Sequence, residues 1–285
     1  MSPKDFATAT PSWWCPGCGD YGVLSALKSA LAELSMQPKD VAFVSGIGCS
    51  GKISGYLHSY AFHGVHGRAL PVATAVKLAN RDLTVIAAGG DGDGYAIGAG
   101  HFIHTVRRNP DITYIVMDNQ TYGLTKGQSS PTSATGYVTS TSPGGNPDAP
   151  LNGLALALAA GATFIARGFS AQPKPLVELI KAAINHRGFS IVEVMSPCVT
   201  YNKFNTYAWF KENVEDLARR ADYAPADRLG AFNALTREGP IPLGIIYRTD
   251  RATFEEQSGL PAASIAKLDI RAPRSDYASL QAAYR

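Results

Sequence analysis

The sequence predicts an α/β fold, a mostly parallel sheet flanked by helices with a C-terminal extension, on three observations. Short apolar runs of strand length alternate with amphipathic stretches of helical period. Residues 83–88, 95–107 and 112–118 read as strand, helix and strand, the unit that joins parallel neighbours by a right-handed crossover. Glycine-rich turns follow the strands, as in open α/β sheets that bind ligands beyond their strand ends.

From the N-terminus, the loop Trp13-Trp14-Cys15-Pro16-Gly17-Cys18 leads to Asp20, a residue suited to capping a helix. The apolar positions of that helix, Leu24, Leu27, Leu31 and Leu34, recur at three- and four-residue steps. Residues 41–44 form a short buried strand that runs into Gly46-Ile47-Gly48-Cys49-Ser50-Gly51. A loop with His58, His63 and His66 precedes a helix at 73–79. Residues 127–150 are rich in Ser, Thr, Gly and Pro without periodicity, a long loop of the kind that usually carries function. Helices at 151–160 and 175–186 alternate with strands at 163–166 and 190–195, and Cys198 stands just past the last of these. Beyond Tyr201 the pattern loosens into short helices, one strand at 243–247 and an Arg-containing tail. Residues 1–200 are therefore expected to form one domain, and 201–285 an extension packed on it or on a partner.

Composition narrows the function. A chain of 285 residues with 45% hydrophobic content can bury a full core. Its 26 basic and 23 acidic residues give a net charge of +3, too weak for general nucleic-acid binding but suited to a small acidic protein partner. The first residues lack the apolar stretch of an export signal, so the chain is expected in the cytoplasm. The longest apolar run, 151–166, falls short of the roughly 20 residues that span a bilayer, and no membrane association is expected.

Gly90-Asp91-Gly92 follows one strand, and Asn119 ends the next, 28 residues after Asp91. Magnesium takes carboxylate and amide oxygens together with phosphate and water, and Asp91 and Asn119 offer two such oxygens. The glycines let backbone approach a diphosphate, and a helix starting near Tyr95 points its N–H groups at the anion. This arrangement, spanning residues 83–128, resembles the diphosphate-binding motif of thiamine-diphosphate enzymes. The resemblance implies that Asp91 and Asn119 ligate Mg²⁺ through their side chains and Thr121 through its carbonyl. Asp118-Asn119 stands where many relatives have Asn-Asn, which keeps the ligating second residue.

Two other glycine motifs fail. Gly46-Ile47-Gly48-Cys49-Ser50-Gly51 has the letters of a dinucleotide fingerprint but lacks the acidic residue about 20 positions on. Gly46, Gly51 and Lys52 fit a phosphate-binding P-loop until Ile53, which stands where a Ser or Thr hydroxyl must reach magnesium.

Cys15 and Cys18 lie on one tight loop at a helix N-terminus, while Cys49 and Cys198 each follow a strand and so converge on the edge that holds Asp91 and Asn119. Four thiolates suit tetrahedral zinc as well as a cubane iron–sulfur cluster, although one Cys-x-x-Cys pair with two distant singles is common in the latter.

Trp14-Cys15-Pro16-Gly17-Cys18-Gly19, Gly46-Ile47-Gly48-Cys49-Ser50, His66-Gly67-Arg68, Gly89-Gly90-Asp91-Gly92-Asp93, Gln128-Ser129-Ser130-Pro131-Thr132 and Ser196-Pro197-Cys198 together resemble the beta subunit of 2-oxoacid:ferredoxin oxidoreductases. The resemblance covers residues 13 to about 200 and implies a thiamine-diphosphate-binding fold. It further implies that Cys15, Cys18, Cys49 and Cys198 hold a [4Fe-4S] cluster. Gly48, Cys49, His66, Gly90, Asp91, Gly92, Asp93, Asn119, Thr121, Tyr122, Gly123 and Leu124 would then lie around the cofactor. Cys49-Ser50-Gly51-Lys52 and Leu124-Thr125-Lys126 resemble the branch acting on 2-oxoglutarate or several 2-oxoacids, with Lys52 and Lys126 as candidates for the distal carboxylate or coenzyme A phosphates. His58, His63, His101 and His104 are expected to be structural.

By the same resemblance, the chemistry is coenzyme A-dependent oxidative decarboxylation with single-electron transfer to ferredoxin, or its reverse. The Glu that contacts the aminopyrimidine in such enzymes comes from a separate pyrimidine-binding domain. An alpha-subunit partner, within a dimer of alpha-beta heterodimers, is therefore expected. Arg248, Arg251, Arg271 and Arg274 are candidates for wrapping that partner or receiving ferredoxin. A non-redox thiamine enzyme would share the magnesium motif without metal cysteines, and a zinc-stabilised binding subunit would carry the cysteines without the redox chemistry.

Overall fold

The computed structural model describes residues 1–260, 264–268 and 282. The cysteine loop leads into α1 (Asp20–Glu33), followed by β1 (Val41–Ser45), β2 (Tyr60–His63), α2 (Ala69–Ala79), β3 (Thr84–Gly90), α3 (Ala99–Arg108) and β4 (Thr113–Asp118). A long loop precedes α4 (Gly153–Ala159), β5 (Phe164–Phe169), α5 (Pro173–Ile184) and β6 (Ser190–Met195). The extension supplies α6 (Tyr207–Glu212), β7 (Val214–Asp216), α7 (Arg228–Thr236), β8 (Ile241–Arg248) and α8 (Phe254–Gln257).

The strands form one sheet of eight in the order β2-β1-β3-β4-β6-β5-β8-β7. It is parallel from β2 to β5, whereas β8 runs antiparallel to β5. Strands β1, β4, β5 and β6 are buried along their whole length, as expected when helices cover both faces. Alternate residues then feed two cores. Phe43, Ile86, Ile115, Phe164 and Val192 pack with α1 and α5, while Val44, Val85, Tyr114, Ile165 and Ile191 pack with Phe102 of α3 and Leu154 of α4. No helix among the described residues is long and apolar enough to cross a membrane.

Several sequence expectations are corrected. The stretch containing His58 and His63, read as a loop, includes β2, whose residues Ala61, Phe62 and His63 pair with Phe43, Val44 and Ser45 of β1. All four β2 side chains are exposed, so backbone pairing rather than burial holds this edge strand and no buried-face alternation announces it. Asp20 is the first residue of α1 and Gly19 takes the cap position, because the Asp20 carboxylate turns inward to accept from Ser196 Oγ at 2.6 Å. The helix expected at 95–107 is divided into a π-helical turn, Gly92–Ile97, and α3. The Gly98 N–H bonds back to the Asp93 carbonyl at the junction. Among the described residues the extension holds two strands rather than one, and its Arg248 ends β8 while Arg251 Nη2 donates to the Val106 carbonyl. Neither is a free tail residue, and Arg271 and Arg274 lie outside the described residues.

One side chain fastens the extension to the sheet. Asn109 ends α3 in the left-handed region (φ 60°), where a short amide side chain is tolerated. Its Oδ1 accepts from Phe189 N and Thr163 Oγ1, both at 2.8 Å, and its Nδ2 donates to the carbonyls of Arg251 and Ala252. Gly188 passes over it at φ +117°, and a Cβ there would stand 2.6 Å from Asn109 Oδ1. Asn109 is fully buried, so truncation strands several polar groups at once. Asn109→Ala is expected to lower the unfolding free energy by about 2–3 kcal/mol, measured by equilibrium urea unfolding. A loss below about 0.5 kcal/mol, the size of an ordinary surface change, would show that the brace is dispensable.

Candidate active site

The loops after β1, β3 and β4 enclose a cavity of about 120 Å³ at the C-terminal edge of the sheet. Its walls include all twelve residues expected around a cofactor: Gly48, Cys49, His66, Gly90, Asp91, Gly92, Asp93, Asn119, Thr121, Tyr122, Gly123 and Leu124. The parallel strands explain the convergence, because each delivers its following loop to the same edge.

Asp91 is buried at the end of β3, and burial pushes its carboxyl up to about 6. Thr132 Oγ1 lies 2.7 Å from Asp91 Oδ2 and 2.8 Å from Asp118 Oδ1. A hydroxyl has one proton to give, so the second contact needs a proton on a carboxyl. Of the two, Asp118 is the one held higher: burial, then the neighbouring Asp91 charge, push its carboxyl well above the usual carboxylate range, while Gln120 N donates to its Oδ1. Asn119 Oδ1 accepts from Thr121 N at 3.1 Å, which turns the chain so that Asn119 and Thr121 face the cavity alongside Asp91. The buried carboxylate and its oxygen-bearing neighbours are the hard donor set that suits Mg²⁺.

Asp93 links three segments. Its Oδ1 accepts from His66 Nδ1 and Gly67 N, both at 2.7 Å, and from Ile47 N at 3.0 Å. Its Oδ2 is buried with no partner among the described residues. The carboxylate fits only because residue 46 is glycine, where a Cβ would stand 1.8 Å from Asp93 Oδ2. This close approach accounts for the first glycine of the 46–51 motif without a dinucleotide. Asp93 holds the His66 ring by Nδ1, and the ring lines the cavity.

The 122–128 loop is closed by Tyr122 N to the Gln128 carbonyl (2.9 Å) and Gly127 N to the Tyr122 carbonyl (2.8 Å). Lys126, at φ 82°, lies on the exposed outer turn of this loop and does not line the cavity. Lys52 also stands outside it, in a neighbouring cavity of about 570 Å³ with Trp13, Tyr56 and His63. Its ammonium favours the ionised forms of Asp20 and Cys49. His58 Nδ1 bonds the Asp5 carbonyl, His63 lies on β2, and His101 and His104 lie on α3.

The four cysteines are free, and two of them, Cys49 and Cys198, border the cavity. Cys49 and Cys198 Sγ flank Gly123, lying 3.6 and 3.5 Å from the point where it would carry a Cβ. Burial, then the Asp20 charge, pushes the Cys18 thiol well up and that of Cys49 to about 11. Charge on Cys198 raises both further, and Cys15 adds to Cys49, so the four thiols share one electrostatic neighbourhood. Among the described residues no three His, Cys, Asp or Glu side chains stand close enough to hold a single metal ion. Cys15 is exposed and the other three are half-buried.

Sequence reasoning missed Thr132 as the hydroxyl between two carboxylates, Asp118 as the second of these, Ser50 and Thr125 in the cavity wall, and Asp20 beside the cysteines. Thr132 lay within a recognised motif, but its reach back to Asp91 crosses 41 positions and leaves no local signal. Asp20 stands close to Cys18 in the sequence, but an acidic residue at a helix start is most often a cap, so its place beside the thiols has no local signal.

The family model described as thiamine pyrophosphate enzyme, C-terminal TPP binding domain, matches residues 46–194, and that for the C-terminal part of the pyruvate ferredoxin oxidoreductase beta subunit matches residues 198–260. The chain is 44% identical to 2-oxoacid:ferredoxin oxidoreductase 2, subunit beta, of Aeropyrum pernix, over 89% of this chain and 85% of that one. It is 44% identical to the 2-oxoglutarate synthase subunit KorB of Archaeoglobus fulgidus, over 74% and 78% of the two chains. Among solved structures it resembles a 2-oxoglutarate:ferredoxin oxidoreductase from Magnetococcus marinus with 2-oxoglutarate, coenzyme A and succinyl-CoA bound. The TM-score is 0.88 at 42% identity, covering 90% of this chain and 88% of that one.

The buried carboxyl pair has a measurable consequence. Both folded-state pKa values lie above that of an unfolded carboxyl, so the metal-free chain takes up protons on folding at neutral pH. Stability present below the unfolded pKa is lost as pH rises. Urea unfolding of the metal-free chain is expected to show stability falling between about pH 4 and 7, with Asp118→Asn flattening the slope. An amide there donates to Thr132 without needing a proton, so an unchanged slope would show that Asp118 is ionised.

Proposed function

The chain belongs to the beta subunits of 2-oxoacid:ferredoxin oxidoreductases, and on that footing we propose that it supplies the cofactor-holding half of a 2-oxoglutarate-converting enzyme. The reaction is the coenzyme A-dependent oxidative decarboxylation of 2-oxoglutarate to succinyl-CoA, or the reverse carboxylation, with ferredoxin carrying the electrons. One observation carries this reading. Cys49 and Gly123 belong both to the wall of the cavity with Asp91 and to the cysteine group, so the carbon chemistry and a one-electron acceptor would be neighbours.

Thiamine diphosphate, when bound, supplies the carbon nucleophile and the electron sink for decarboxylation. The residues of this chain do the holding. Asp91, Asn119 and the Thr121 carbonyl would bind Mg²⁺, and the turn after Gly90 would present backbone N–H groups to the diphosphate. His66, oriented by Asp93, would complete the polar wall, with Tyr122 and Leu124 bordering the cofactor. Lys52 and Lys126 lie outside the small cavity, as suits groups that bind the distal carboxylate of 2-oxoglutarate or coenzyme A phosphates rather than the cofactor.

Cys15, Cys18, Cys49 and Cys198 would hold one [4Fe-4S] cluster. One Cys-x-x-Cys pair with two distant single cysteines is a commoner arrangement for a cubane cluster than for structural zinc. Cys15, the exposed member, marks the side on which electrons would leave to ferredoxin.

The alpha subunit has a surface to meet. Tyr60, Phe62, Val65 and Ile97 are each more than half exposed, and among the described residues β2 offers an unpaired sheet edge beside them. Ile97 packs by Gly67, next to His66, so this face borders the cofactor cavity. An alpha subunit docked there would bring its pyrimidine-binding domain over the site, within a dimer of alpha-beta heterodimers.

Two experiments test the reading. The anaerobically purified alpha-beta complex is expected to be brown, with about four iron and four sulfide per beta chain. Cys198→Ser should remove most of both while thiamine diphosphate still binds, whereas colourless protein containing zinc would overturn the cluster assignment. The complex should reduce ferredoxin with 2-oxoglutarate and coenzyme A faster than with pyruvate, and the beta chain alone should do neither. Oxidation of 2-oxoglutarate by the beta chain alone would refute the need for a partner.

A further inference from the structure

A second cavity, of about 400 Å³, shares no wall residue with the cofactor cavity and lies between β5, the first half of α5, the 3₁₀ turn Leu217–Arg219 and β8. Its walls are largely apolar, with Phe169, Leu179, Leu217 and Leu243 among them. Arg167 also lines it, although Arg167 is a β5 residue with a side chain only 9% exposed. Among the described residues, the guanidinium has one hydrogen-bond partner, Glu193, reached through Nε at 2.7 Å. Among the described residues Nη1 and Nη2 bond no protein group, yet neither is sealed from solvent without a partner.

A guanidinium placed only to neutralise Glu193 would be expected to use two parallel N–H donors, since that fork is the favoured carboxylate geometry. Here the Glu193 carboxylate is shared, Oε1 with Arg167 and Oε2 with the Tyr95 hydroxyl at 2.8 Å, so the outer nitrogens of Arg167, a residue of the cavity wall, are left without a carboxylate among the described residues. The other charged groups of the wall are engaged. Glu178 accepts from Lys181, Asp216 accepts from Ala218 N and pairs with Arg219, and Arg220 binds Asp222. One nearly buried fork facing apolar walls selects for a matching ligand: a planar anion that accepts two N–H bonds, joined to an apolar body that fills the rest. Arg167 already balances Glu193, so any anion adds net negative charge to these walls; a singly charged carboxylate adds the least, and a phosphate would add more.

We propose that this cavity is a binding site for a small monocarboxylate with an apolar chain, anchored on the Arg167 fork. The site is separate from the cofactor cavity, so it stands or falls independently of the reaction proposed above.

Octanoate titrated into the purified alpha-beta complex by calorimetry tests it, with octanol and octylamine as controls. Octanoate should saturate one site per beta chain with Kd below about 1 mM, and octanol should bind about tenfold more weakly, as expected for the loss of a charge-assisted hydrogen bond. Ala218→Phe, on the exposed turn at the rim, should fill the cavity and abolish binding while leaving the Arg167–Glu193 pair intact. The paired substitution Arg167→Met with Glu193→Gln should equalise octanoate and octanol. The paired change avoids stranding one buried charge, so its folding can be checked by circular dichroism. No octanoate binding in the unmodified complex, equal binding of octanoate and octanol to it, or full octanoate binding by Ala218→Phe would each overturn the proposal.

Discussion

The carboxylate of Asp91 lies buried at the end of a parallel strand and is met by hydroxyl and amide donors. Taking such a charge out of water is costly unless it is paired or coordinated. The loops around it are arranged to that end. Thr132 reaches back from the long 127–150 loop to touch it, the same hydroxyl meets Asp118, and Asn119 and Thr121 turn toward the same space. A divalent cation would relieve the buried charge, so the protein keeps here a binding capacity that costs stability when empty.

The second acidic residue of the turn, Asp93, works differently. Its charge is spent on structure: three donors from two other segments converge on one oxygen, which fixes the loop after β1 and the His66 ring relative to the diphosphate turn. Because Gly46 has no side chain, the carboxylate can come this close to the loop. The cysteines use the same scaffold. Cys49 follows β1, Cys198 follows β6, and Cys18 is tied back by the Gly19 N–H to the Pro197 carbonyl, so strand order brings together residues separated by up to 183 positions.

At the opposite end of the sheet, Asn109 joins the end of α3 to β5, β6 and the segment after β8. The extension is thereby part of the sheet body, with β8 paired antiparallel to β5. That placement creates the walls of the second cavity and leaves the Arg167 fork lining it.

Much of this was legible in the residues. The buried strands announced themselves because both of their faces are apolar, and Gly90-Asp91-Gly92 with Asn119, like Cys15-Pro16-Gly17-Cys18, carries its chemistry in local spacing. What escaped depends on distance or on exposure. β2 is held by backbone pairing to β1 and presents only exposed side chains, so no periodicity marks it. Thr132, Asp20 and Arg167 take their roles from partners 41, 176 and 26 residues away, and no local pattern encodes a contact across the sheet. By itself, then, the sequence determined which elements form and which residues carry ligating chemistry, because hydrophobic period and short motifs are local properties. Only the tertiary structure decided which charges are buried, which protons they keep and where a cavity is left open, because these follow from packing among segments far apart in the chain.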